Sequence, residues 1–220
     1  MTREGLAKRL FSLSGVVPLG FFLLAHVWAN AAALRGQEAY VHTVESLMRV
    51  PLLLAVEIGL VFVPLAYHAL YGLWLMRAPI AKTAPHGRAL AITDRAAAMI
   101  ALAFIVWHFA EYRLAAFRSG LDPHAFYSTL VFRLSSTWHG FPVRAVLYLL
   151  GLAATVFHFA CGVFSYAVTS GFVAKRRAAW GALALGSLLF VASSATVISL
   201  ATGLEFSSTP EPSAPCTPKK

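Results

Sequence analysis

The chain has 220 residues, 59% of them hydrophobic and only 12% charged, and its mean hydropathy is +0.70. This composition excludes an ordinary soluble domain and points to an integral membrane protein. The formal charge of +9 does not mark a nucleic-acid binder, because the Lys and Arg residues fall in short clusters between apolar stretches, as membrane topology requires.

Five apolar stretches follow one another. A short basic start with Arg3, Lys8 and Arg9 leads into a first span over residues 10–34. Ala29-Asn30-Ala31 resembles a signal-peptide cleavage site, but the apolar run is long for one and contains Pro18 and His26, so a retained helix is expected. A polar segment, 35–49, precedes the second span, 51–76, where Pro51 suits a helix start. The next connection carries the breakers Pro79, Pro85 and Gly87, and the third span covers 96–117. The longest loop, 118–144, holds Phe126, Tyr127 and Trp138, aromatics that suggest parts of it lie at the membrane interface. The fourth span is expected over 145–173 and the fifth over 180–202, separated by Lys175-Arg176-Arg177.

The expected fold is therefore an all-α bundle of five transmembrane helices within residues 1–206, followed by a disordered polar tail over 207–220. The loops leave no room for a separate soluble domain. Chemistry on a water-soluble substrate is expected to belong to partners, with this chain as anchor or carrier. The amino terminus, second and fourth connections hold ten Lys and Arg against eight elsewhere, which places the amino terminus inside and the carboxyl terminus outside.

Four histidines sit singly in four of the spans: His26, His68, His108 and His158. A buried imidazole needs a partner, and an intramembrane ionisable residue is a functional candidate. One per helix suggests two facing pairs, the axial ligand set of a b-type haem. At 1.5 Å per residue, His26 and His108 lie about 20 Å from the inner ends of their helices and His68 about 12 Å. These depths pair His26 with His108 towards the outside; His158 then pairs with His68 by elimination. Small residues beside them, such as Gly72 and Gly162 one turn after a histidine, leave room for a flat macrocycle. Neither Cys161 nor Cys216 belongs to a C-x-x-C-H sequence, so any haem is expected to be non-covalent. His42, His86, His124 and His139 lie in connections and are expected to be solvated.

The run Arg9-Leu10-Phe11-Ser12-Leu13-Ser14-Gly15-Val16-Val17-Pro18-Leu19-Gly20, followed by His26 and Asn30, resembles the first helix of the dihaem cytochrome b subunits of succinate dehydrogenases and fumarate reductases. Pro64-Leu65-Ala66-Tyr67-His68-Ala69-Leu70-Tyr71-Gly72-Leu73, Val106-Trp107-His108 and Val156-Phe157-His158-Phe159-Ala160-Cys161-Gly162 resemble its later ligand motifs in the same order. The resemblance covers roughly residues 8 to 202 and leaves out the polar tail.

It implies a multi-pass anchor in a bacterial cytoplasmic membrane, not itself acting on succinate, with a flavoprotein subunit and an iron–sulfur subunit on the inner side. Electrons would pass between those subunits and a membrane quinone, expected to be menaquinone, through two b haems. His68 and His158 would hold the inner haem and His26 and His108 the outer one. In some members an acid two residues before the fourth ligand carries protons; this chain has Val156 there. Arg9, Ser12 and Ser14 are candidates for the inner haem's propionates, and Glu111, Glu57 and Glu45 for the acid that exchanges protons with quinone. Two alternatives are the dihaem anchor of another membrane dehydrogenase and a polytopic transporter whose histidines make polar contacts.

Overall fold

The computed structural model describes residues 3–79, 87–120, 122–171 and 173–204. The 207–220 tail, Cys216 and His86 lie outside them. All regular secondary structure among the described residues is helical.

The first span is made of α1 (Arg3–Val16) and α2 (Pro18–Asn30), extended to Arg35 by a 3-10 segment. Pro18 has no N–H to give the Ser14 carbonyl, and the helix is interrupted at Val17. Gly36, with φ 95°, turns the chain into α3 (Gln37–Met48). The second span contains α4 (Leu53–Glu57) and α5 (Val63–Leu75), joined by a π-helical turn over Ile58–Phe62. Pro64 cannot donate to Leu60 and would crowd its carbonyl; the wider turn just before it relieves that conflict. The helix starts at Leu53 and not at Pro51, because Leu52 takes a left-handed φ of 55°.

The third span runs unbroken from α6 (Arg88–His108) through a π-helical turn, Phe109–Arg113, into α7 (Leu114–Ser119). It begins eight residues before the expected position. The polar residues there are absorbed: Asp94 meets His158, and the Arg95 guanidinium donates to the carbonyls of Met76 and Ala78. The long loop contains α8 (Pro123–Ser135), with Pro123 as its first residue and the Asp122 carboxylate accepting from the His124 N–H at 3.0 Å. The fourth and fifth spans are α9 (Val143–Thr169) and α10 (Lys175–Thr202). The Lys175-Arg176-Arg177 cluster forms the first turn of α10 instead of a linker.

Among the described residues five helices are long and apolar enough to cross a membrane: Arg9–Arg35, Leu53–Leu75, Arg88–Arg118, Val143–Thr169 and Lys175–Thr202. α9 is central, packing on α10, α6 and α1, while α5 leans on α1. Small residues permit the close approaches. Gly151 lies beneath the Phe104 ring, and a Cβ on Gly186 would stand 3.2 Å from that of Ala160. Large apolar side chains point outward instead, Phe21 70% and Trp28 71% exposed, as a lipid-facing perimeter requires. At the end of the bundle away from α1, α3 and α8 pack on each other, and α8 also packs on α10. Their buried Tyr40 and Leu134 join Tyr112, Tyr148 and Leu200 in one apolar cluster.

Candidate functional site

A cleft of about 580 Å³ runs between the second and third spans, floored by the first, fourth and fifth. All four span histidines line it. The structure brings them together in twos: the His26 and His108 ring centroids are 5.7 Å apart, and those of His68 and His158 are 6.1 Å apart. Gly15 lies against the His68 ring, eleven residues before His26. At the helical rise the two pairs are therefore roughly 16 Å apart along the first span.

The ring hydrogen bonds show which nitrogen is free. His158 Nδ1 lies 2.8 Å from Asp94 Oδ1, and His68 Nδ1 lies 3.1 Å from the Phe11 carbonyl. A carbonyl and a carboxylate oxygen accept, so each Nδ1 is the donor, and Nε2 is the nitrogen that the neutral tautomer leaves with a lone pair. The Phe11 ring also stacks on His68, with centroids 4.4 Å apart and planes 10° from parallel. In the other pair, the Tyr148 hydroxyl donates to Glu111 Oε2 at 2.8 Å, so its oxygen can accept from His108 Nδ1, 3.4 Å away. His26 differs. The Asn30 amide donates to the His26 carbonyl at 2.8 Å and makes only a secondary 3.4 Å approach to Nε2.

Two imidazoles that share one metal at about 2 Å each have ring centroids roughly 6 Å apart. Both pairs meet that spacing. Among the described residues no three of His, Cys, Asp and Glu converge on a metal-sized site. Each pair thus offers two protein ligands, a set that suits a metal whose remaining positions belong to a macrocycle.

Of the three candidate acids, Glu111 is the one tied to a histidine of the cleft. Its side chain is 6% exposed and ion-pairs with Arg144 and, at 3.0 Å, with Arg133, besides accepting from Tyr148. Arg113, two residues further on, pairs with Glu57 and lies over the Phe117 ring. Glu45 sits on α3, 4.0 Å from Arg49, away from the cleft lining. Among Arg9, Ser12 and Ser14, Ser12 lines the cleft, the Ser14 hydroxyl donates to the Phe11 carbonyl at 2.8 Å, and Arg9 is exposed. Arg95 lines the cleft too, a cation expected in the connection before the third span. His42, His124 and His139 are exposed. Outside the spans, burial pushes the Tyr40 phenol above its usual range, so it stays neutral in the cap.

No family model matches the sequence, and no solved structure matches it. A curated protein does. Over 198 residues the chain is 34% identical to the succinate dehydrogenase cytochrome b558 subunit of Bacillus subtilis (strain 168), covering 86% of this chain and 92% of that protein. Five apolar helices around a histidine-lined cleft and a likeness to that subunit over most of both chains lead to one conclusion: the chain is a multi-pass membrane protein that belongs to the succinate dehydrogenase cytochrome b subunit family.

Proposed function

We propose that this chain binds two b-type haems non-covalently and carries electrons between the iron–sulfur subunit of a succinate dehydrogenase and membrane quinone. The observation that supports this reading most directly is the pair of facing imidazoles, repeated twice in one cleft at 5.7 and 6.1 Å. His68 and His158 would hold the haem nearer the amino terminus, and His26 and His108 the other. Each bound haem supplies a site for one electron at a time. The chain orients the ligands: Phe11 and Asp94 hold His68 and His158 through Nδ1, and Tyr148 stands at Nδ1 of His108.

With the amino terminus on the cytoplasmic side, the His68 and His158 pair faces the flavoprotein and iron–sulfur subunits, which carry the succinate chemistry. Menaquinone is the expected quinone, exchanging electrons near the His26 and His108 pair. Glu111 is the preferred proton acid there, since Tyr148 links it to His108 and Arg144 leads from it to a surface pocket of about 230 Å³ beside Trp107 and Trp138. Glu57 and Glu45 rank below it. Ser12 and Arg95 are best placed to receive propionates, ahead of Arg9 and Ser14.

The test is a pyridine haemochrome assay on the purified complex with a reduced-minus-oxidised spectrum. Two b haems per polypeptide are expected. None in a folded, haem-supplied preparation would sink the proposal and favour a bundle whose histidines serve packing or proton movement.

A further inference from the structure

Among the described residues, one of the four cleft histidines has a carboxylate on its ring: His158 Nδ1 meets Asp94 Oδ1 at 2.8 Å, while His68 meets a backbone carbonyl, His108 a hydroxyl and His26 an amide. We infer that Asp94 is a positioning residue that fixes His158 as an Nε2 ligand and holds down the reduction potential of the haem it binds, an inference that rests on the ligand assignment above. Two features make the contact more than a packing hydrogen bond. First, Asp94 and His158 both line the cleft, and they come from different spans, so the bond sets the ring plane of α9 against α6. Second, no arginine or lysine is in ion-pair contact with the Asp94 carboxylate among the described residues. Its ion-pair contact there is His158 itself: the adjacent cation, Arg95, keeps its charge but turns its guanidinium to the Met76 and Ala78 carbonyls, so the carboxylate acts on the ring at contact distance.

The consequence follows from ligand chemistry and electrostatics. A carboxylate that accepts the outer N–H of an imidazole makes the ring a stronger donor through its other nitrogen. A ferric haem carries one more positive charge than a ferrous haem, so a fixed negative charge in a low-dielectric cleft favours the oxidised form. One electron enters the iron on reduction and no proton has to move for this effect. The other pair has no such charge on a ring nitrogen: Glu111 reaches His108 only through the Tyr148 hydroxyl, and Arg144 and Arg133 lie against it. Asp94 therefore acts on one haem and not on both.

The experiment is a redox titration of both haems in the intact complex, with Asp94→Asn and Asp94→Glu beside the unaltered protein, together with haem content and low-temperature electron paramagnetic resonance. Asparagine can still accept the His158 N–H but has no charge, so Asp94→Asn should keep two haems and raise the midpoint of one. A tenfold shift of that haem's equilibrium towards the reduced form is expected, equal to about 59 mV for one electron. The low-spin ferric signal of the same haem should move, and Asp94→Glu should restore both readouts towards the starting values. Two unchanged midpoints in Asp94→Asn, or equal shifts in Asp94→Asn and Asp94→Glu, overturn the inference. If Asp94→Asn retains only one haem, Asp94→Glu carries the test: two haems with the original signals support it, and loss of the same haem overturns it. Fewer than two haems in the unaltered complex would instead remove the ligand assignment, whatever Asp94 does.

Discussion

Gly15 lies against the face of the His68 imidazole, so close that a Cβ there would overlap Cε1 and Nδ1 of the ring. The absence of a side chain on the first span is thus what lets the second span bring its histidine to 6.1 Å from His158. Gly15→Leu should push the His68 ring away, while the helix itself is not harmed, since leucine favours a helix more than glycine does. The expected result is a fall from two haems per chain towards one in a pyridine haemochrome assay, with the midpoint of the surviving haem unchanged. Two haems in Gly15→Leu would show that the close contact does not govern ligation.

The two pairs share a cleft yet stand roughly 16 Å apart along the first span. At that separation substitutions are expected to act independently. His158→Ala should remove one haem and His108→Ala the other, each leaving the remaining midpoint nearly where it was, and the double replacement should remove both. If either single replacement abolishes both haems in a complex that still assembles in the membrane, the pairs do not bind separately.

Tyr148 joins His108 to the Glu111, Arg144 and Arg133 cluster. Tyr148→Phe deletes one hydrogen bond to a charged acceptor, worth about 1.5–3 kcal/mol. Both haems should remain, because Nε2 of His108 is untouched, but quinone turnover should drop about tenfold. Glu111→Gln should lower turnover as well, and it also costs stability, since two arginines lose the anion they share. Heating should release haem at a lower temperature in Glu111→Gln than in Tyr148→Phe. Unaltered turnover in Glu111→Gln, with both haems bound, would exclude Glu111 as the proton acid.

Much of the architecture is legible in the order of residues, because apolar runs of this length leave a membrane helix little alternative. Where the reading falls short, the cause is a polar residue that finds an internal partner. Asp94 and Arg95 make residues 88–95 look like a connection, yet the helix begins at Arg88, because one side chain meets His158 and the other covers the end of the second span. Gly87, with φ 86°, was the available sign of an early helix start. The short helices α3 and α8 were hidden for a different reason: each is amphipathic enough only to cover the bundle end, so its signal falls below that of a span. Asp122-Pro123 does carry a capping signature, and it marks the start of α8. Tyr148 and Arg144 were not singled out at all. They belong to the first turns of an apolar helix, and their meaning comes from Glu111 on another span, which sequence spacing does not reveal.

Glu57 and Arg113 form the remaining ion pair between spans, and both stand at π-helical turns: Glu57 just before Ile58–Phe62 and Arg113 as the last residue of Phe109–Arg113. Beside them the Phe62 and Phe109 rings meet edge to face at 5.4 Å. These contacts bring the second and third spans together at the His26 and His108 end of the cleft, whereas the second span otherwise leans on the first. Removing one partner leaves a charge in an apolar setting. Glu57→Leu or Arg113→Leu alone should therefore destabilise the haem-bound protein by about 3 kcal/mol, with Arg113→Leu also losing the cation–π contact to Phe117 at 4.2 Å. Replacing both by leucine removes the unpaired charge and should recover most of that loss, since an apolar pair can substitute for an ion pair that is half withdrawn from solvent. A double-mutant cycle on thermal haem release measures the coupling. Additive losses, with the double variant worse than either single one, would mean that the pair does not close the cleft and that each side chain acts by itself.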